Sequence, residues 1–190
     1  MTQADLPTLL EKLRAATGGD REIDALIAEH FGESQPWSYY ATGLSEMDGE
    51  EVWARWSDEG GGWWTWGPKR WRAAFESEER CRLRTENSPT YAHPTKDSYQ
   101  IVREASKDCP HYTADLSAAV ALVRQKLPDW SILIGIYPDV CGADLTSPII
   151  EIGSDYMGED VEIRREEHAE APTPALALLC AFIAAMGEKT

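Results

Sequence analysis

The sequence is poor in the signals that most often betray function. Its four cysteines, Cys81, Cys109, Cys141 and Cys180, form no CxxC pair, which removes the usual signatures of a dithiol redox centre or a zinc ribbon. No stretch of 18 apolar residues occurs, so no transmembrane helix is expected. Met1 to Leu10 carries neither a basic leader region nor a long apolar core, so no signal peptide is expected either. Cytoplasmic residence with reduced thiols follows as the expectation. There is no GxSxG nucleophile elbow, and no GxxxxGK[ST] or GxGxxG run opens a helix around a phosphate. Basic residues are scarce: 18 Lys and Arg stand against 33 Asp and Glu, a net charge of −15. A field of that sign repels nucleic-acid phosphates and anionic lipid, so neither direct nucleic-acid binding nor membrane association is expected.

The nearest approach to a metal centre is Cys109-Pro110-His111, with His93 or Cys81 as further ligands. A structural zinc site needs four such ligands at regular spacing, and this pattern reads instead as a loop cysteine and a histidine preceding a helix. Adjacent carboxylates recur at Glu50-Glu51, Asp58-Glu59, Glu159-Asp160 and Glu166-Glu167, so none is diagnostic of acid–base chemistry. No catalytic residue, metal or cofactor is assigned, and the chain is expected not to be an enzyme.

What is present is a foldable pattern. With 190 residues, 43% of them hydrophobic, the chain is long enough for one ordinary domain with its own core. Leu6, Leu9, Leu10 and Leu13 fall at helical spacing; Asp20 can cap a second helix carrying Ile23, Leu26 and Ile27, with Gly32 at its end. Thr113 or Asp115 can cap a helix bearing Leu116, Ala119, Val120, Val123 and Leu127. Trp130 to Tyr137 reads as a strand apolar on both sides, and 148–153 and 159–164 as two more, joined by a turn over 155–159. Thr173-Pro174 starts a last helix with Leu176, Leu179, Ile183 and Met186 on its buried stripe. The expected fold is α+β: a layered sandwich, helices flanking a mainly antiparallel sheet, ending in an α-β-β-β-α unit whose strands form a meander. Residues 1–190 are expected to form a single domain, with 33–109 an insertion-like, Trp-rich region. There Trp37, Tyr39 and Tyr40 suggest a strand, Trp53 and Trp56 a helical turn or irregular segment, 60–62 a hairpin turn or hinge, and 87–97 a long loop. The N-terminal hairpin and the aromatic region are expected to cover the second face of the C-terminal sheet. Double-stranded-RNA-binding domains share the helix–strands–helix order but need cations at the last helix; here Glu166, Glu167 and Glu170 precede it.

Three stretches, Ala15 to Ala28 (AATGGDREIDALIA), Tyr112 to Val123 (YTADLSAAVALV, followed by Pro128 and Trp130) and Ala171 to Ala181 (APTPALALLCA), resemble blocks of the phage ABA sandwich domain family. The likeness spans about residues 6–32 and 110–187 and departs at Asp115 and Ser117, where the family order is Ser before and Asp after. It implies a phage or prophage origin and helices layered on a sheet, and it implies no chemistry.

Two features are left to carry function. Seven of the eight tryptophans lie between residues 37 and 71, and Trp63, Trp64, Trp66 and Trp71 are candidates for a partner or ligand surface, with core packing the alternative. The acids of the 151–170 stretch, with Glu159, Asp160, Glu162, Glu166 and Glu167 as the candidates, suggest a face that imitates a nucleic-acid backbone; protection of a sheet edge is the alternative. The leading expectation is a non-enzymatic phage accessory protein that binds a host protein, in its sharpest form a nucleic-acid-binding component of a defence system. The second is a nucleotide-like small-molecule binder, with Lys69, Arg70 and Arg72 beside Trp66 and Trp71. A virion or assembly component and a homo-oligomer joined through the tryptophans stay open.

Overall fold

The computed structural model describes residues 5–32, 35–45, 48–57, 63–86, 99–148, 151–154 and 160–187; at 57, 63, 151–154 and 160–163 it describes the backbone path. In chain order the elements are α1 (Leu6–Ala15), α2 (Arg21–His30), β1 (Trp37–Leu44), β2 (Glu51–Ser57), β3 (Trp63–Gly67), a 3-10 turn (Lys69–Trp71), α3 (Glu78–Glu86) and β4 (Gln100–Ala105). Then follow α4 (Leu116–Lys126), β5 (Ser131–Ile136), β6 (Cys141–Thr146), β7 (Glu151–Ser154), β8 (Asp160–Ile163), β9 (Glu166–Ala171) and α5 (Pro174–Gly187). The fold is α+β, with helices packed on antiparallel sheets and a closing helix after the strands. The chain divides into two compact units, Met1–Glu33 with Pro110–Thr190, and Ser34–Cys109.

The first unit is organised around α5. Thr173 opens this helix by accepting from Leu176 N at 3.2 Å, and Pro174 stands at its first position, where no amide hydrogen is needed. Residues 175–183 are all buried, Leu176, Leu178, Leu179 and Phe182 completely. A helix apolar on every side needs cover on every side. The β5–β6–β9 sheet packs against α5, and so do α1 and α4. Each fully buried Leu or Phe contributes about 1.5–3 kcal/mol by leaving water, so this helix dominates the core. It also changes where the N-terminal hairpin lies: α1, like α4, packs on α5 and not on the second face of the sheet, where Leu133 is 67% exposed. The reason is that α5 carries no single apolar stripe and takes up the helical cover itself.

Caps hold the smaller helices. Asp5 accepts from Thr8 N at 2.8 Å, Asp20 from the amides of Glu22 and Ile23, and Asp115 from those of Ser117 and Ala118. Lys126 reaches across to the carbonyl of Phe31 at 3.1 Å and so satisfies an acceptor at the end of α2.

Strand pairing differs from the expected meander. Strand β5 pairs with β6 (Ile132 opposite Leu145, Ile134 opposite Ala143), and β6 pairs with β9 (Leu145 opposite Glu167, Ala143 opposite Ala169). The segments expected as second and third strands overlap β7 and β8, which pair with each other as a separate ribbon. The turn expected over 155–159 lies outside the described residues, as do 60–62 and 87–97.

The second unit is the antiparallel sheet β3-β2-β1-β4. Trp53 and Trp56 belong to β2, correcting the expected helical turn: Trp56 stands opposite Trp64 and Ala54 opposite Trp66. One face packs Ala41, Ala54, Trp66, Phe75 and Cys81 into a cluster with Tyr39, Val52, Trp64 and Ile101 against it. Phe75 extends the ladder by exchanging backbone hydrogen bonds with Tyr39 at 2.9 and 3.0 Å.

Candidate functional site

Alternation along the first unit's sheet sets two unlike faces. Towards α5 point Ile132, Ala143, Leu145, Glu167, Ala169 and Ala171. On the open face stand Leu133, Asp144, Thr146, Glu166, His168 and Glu170, with Gly135 and Gly142 paired in its floor. Tyr137 continues β5 and lays its ring over that floor. A Cβ built on Gly135 would fall 2.9 Å from the Tyr137 ring, and one on Gly142 would fall 3.7 Å from it and 3.5 Å from the His168 ring. A side chain at Gly135 would push the Tyr137 ring off the sheet, whereas a methyl group at Gly142 would meet both rings at ordinary van der Waals contact. Tyr137 remains 60% exposed.

His168 lies between two carboxylates. Its Nδ1 is 2.7 Å from Asp144 Oδ1, and its Nε2 is 3.7 Å from Glu170 Oε1. The hydrogen bond to Asp144 raises the imidazole pKa above its ordinary value, with the charges of Asp144 and Glu170 adding to it. With both ring nitrogens facing carboxylates, the histidine is placed as a charge partner. Among the described residues no group of three or more His, Cys, Asp or Glu is placed to hold a metal ion. Cys81 and Cys109, named above as possible ligands, are buried and in no disulfide, and His93 lies outside the described residues.

The acidic candidates separate. Glu166 is exposed on the open face. Its neighbour Glu167 points the other way, half-buried, and accepts from Arg165 Nε and Nη2 at 3.1 Å. Adjacent strand residues face opposite sides, so these two do not form one acidic surface. Asp160 and Glu162 lie on β8, and Glu159 lies outside the described residues. The sequence reading missed Asp144, His168 and Tyr137. Recognising β6 and β9 as paired strands was the step needed to bring them together.

The aromatic candidates separate too. Trp64 and Trp66 share the packed face of the second unit: Trp66 is buried, and Trp64 stacks on Phe75 at 4.7 Å between centroids and meets the edge of Trp56 at 5.5 Å. Trp64 and Phe75 also wall an open hollow of about 210 Å³ with Glu76, Arg80 and Arg84, below the usual size of a ligand pocket. Trp63 is on β3, opposite Ser57. Trp71, on the 3-10 turn, is 51% exposed. Trp66 packs on one face of the sheet while Trp71 meets Arg55, which alternation on β2 places on the other face, so the two do not form one ligand wall. The opposite sheet face carries Tyr40 and Trp53, with Arg72 over both rings at 4.1 and 5.1 Å. Arg72 also makes a bidentate pair with Glu104, Nη1 to Oε1 at 2.7 Å, which holds the Glu104 carboxyl below its ordinary pKa.

Comparison with family models, curated proteins and solved structures returned no match. No helix among the described residues is long and apolar enough to cross a membrane.

Proposed function

We propose that the chain is a non-enzymatic binding protein that holds a basic protein surface on the open face of its β5–β6–β9 sheet. One observation carries the reading: Asp144, Glu166 and Glu170 stand on the same open face as the exposed Tyr137 and Leu133. An arginine or lysine from a partner finds carboxylates there and an aromatic ring for its cation. The net charge of −15 steers such a partner in and speeds its association. A general base needs a free ring nitrogen beside a nucleophile, and the two carboxylates flanking His168 support a binding role instead. In its narrower form the partner is the nucleic-acid-binding surface of a host defence protein and the chain is a phage accessory inhibitor; the charge and the resemblance in the three sequence blocks support this form.

The test compares capture from bacterial lysate by the wild-type chain and by a Glu166→Lys/Glu170→Lys variant. The expected result is a stoichiometric basic protein that the wild type releases as salt rises and the variant fails to retain. Equal retention by both chains, or retention indifferent to salt, would exclude the open face as the site.

A further inference from the structure

The second unit gathers cations on one sheet face, in a chain with nearly twice as many acids as bases. Arg55 comes from β2, and Lys69 and Arg70 come from the 3-10 turn after β3. Arg72 is neutralised by Glu104, whose carboxylate also feels the charge of Lys69, and each of the three other cations lies over a ring. Arg55 and Arg70 each lie 4.7 Å from the Trp71 centroid, and Lys69 lies 4.9 Å from that of Trp53. Two guanidinium groups thus share one indole.

The arrangement is fixed by the sequence. Arg55 lies across Gly67, where a Cβ would come within 2.6 Å of its Nε. Any other residue at 67 would displace the arginine from Trp71. Pro68 then leads into the turn that brings Lys69, Arg70 and Trp71 alongside. The cluster is also short of acceptors: Arg55 Nε and Trp53 Nε1 are buried without a hydrogen-bond partner.

We propose that Arg55, Lys69 and Arg70, around the exposed ring of Trp71, bind the phosphate groups of a small phosphorylated ligand of nucleoside-triphosphate class. A guanidinium stacked on an indole has its face occupied and its N–H edge free, and that planar fork matches phosphate oxygens. Lysine adds a compact point charge to the same anion. A polyanion such as duplex DNA would bring many phosphates against the overall negative field. A short anion meets the local cations, because charges beyond about 8 Å are screened at physiological ionic strength. This site goes beyond the acidic-face reading and is independent of it.

The experiment titrates the full chain with ATP, pyrophosphate and inorganic phosphate at matched ionic strength, following tryptophan fluorescence and the thermal midpoint. A short DNA duplex is titrated in parallel. The expected result is saturable ATP binding with a raised midpoint, weakened about tenfold or more in Arg70→Gln and in Lys69→Gln. Both residues are exposed, so the unliganded variants should keep the wild-type midpoint, and either one suffices if the other fails to fold. Arg80→Gln on α3 and Glu166→Lys on the acidic face should bind ATP like the wild type. No saturable binding of any phosphoanion, equal weakening in Arg80→Gln, or tighter binding of the duplex than of ATP would each overturn the proposal.

Discussion

His168 Nδ1 and Asp144 Oδ1 stand 2.7 Å apart on directly paired residues of β9 and β6, on the open face of the sheet. The raised imidazole pKa means that the folded chain holds the His168 proton more tightly than the unfolded chain does. The bond's contribution to stability is therefore complete below the ordinary value of 6.5 and is lost as pH rises through the raised folded value. His168→Gln should lower the thermal midpoint at about pH 5.5 and leave it close to wild type at about pH 8.5. Protonation also places a cation among Asp144 and Glu170, so affinity for a basic partner should increase from the lower pH to the higher. In the Gln variant that pH dependence should flatten. An unchanged slope would show that His168 does not set the charge of the face.

Tyr137 is held over Gly135 by a close approach that leaves no room for a methyl group, with the nearest ring atoms 2.9 Å from a Cβ built there. Gly135→Ala should swing the exposed ring outward at little cost to stability, since it ends in solvent. If Tyr137 receives a partner's cation, the variant should weaken capture of the basic partner without changing the thermal midpoint by more than about 1 kcal/mol equivalent. A variant that binds as the wild type does would remove Tyr137 from the interface.

The helices were legible because their caps and spacings are local. Asp20, Asp115 and Thr173 each accept a backbone amide of the helix they precede. Helix α3 was not legible: of its residues only Cys81 and Thr85 are buried, so it shows no apolar stripe, and ion pairs from Glu76 to Arg80 and from Glu78 to Arg82 support its exposed side. Strands β6 and β9 were missed for a related reason. Cys141 to Thr146 and Glu166 to Ala171 carry glycine, alanine and carboxylates where β-branched residues would signal a strand. Their pairing comes from long-range packing on α5, which no local pattern encodes. The open face depends on that pairing, so its residues could be seen as acids in the sequence but not as neighbours.

Burial raises the pKa of the Cys81 thiol to about 12 and that of Cys180 to about 11. The reactive thiolate is correspondingly rare in the native chain near neutral pH. Iodoacetamide should leave both cysteines unmodified in native buffer and label them across the urea unfolding transition, read by peptide mass spectrometry. Early labelling of Cys180 alone would reveal local opening of α5 and contradict its place as the centre of the core.

Asp24 has no exposed surface, yet it ties α2 to the turn before α4. Its Oδ1 accepts from Thr113 N at 2.7 Å and from Thr113 Oγ1 at 2.8 Å, and its Oδ2 pairs with Arg21 at 3.0 Å. The Thr113 hydroxyl in turn accepts from Asp20 N at 2.8 Å, so the same threonine supports the residue that caps α2. Thr113 is therefore not the cap of α4; Asp115 fills that role. Removing the carboxylate leaves the buried Thr113 amide without its acceptor, takes one of two acceptors from the Thr113 hydroxyl, which keeps the Asp20 carbonyl at 3.2 Å, and removes the Asp24 ion pair from Arg21, which keeps its bond to the Pro110 carbonyl at 3.1 Å. Asp24→Ala should destabilise the chain by about 3–4 kcal/mol, and Thr113→Val by about 1–3 kcal/mol, in urea denaturation. Asp24 and Thr113 act through one network, so the double variant should cost clearly less than the sum of the two single ones. Additive losses would mean that the two side chains support the fold separately, and that the contact between α2 and the turn before α4 is incidental.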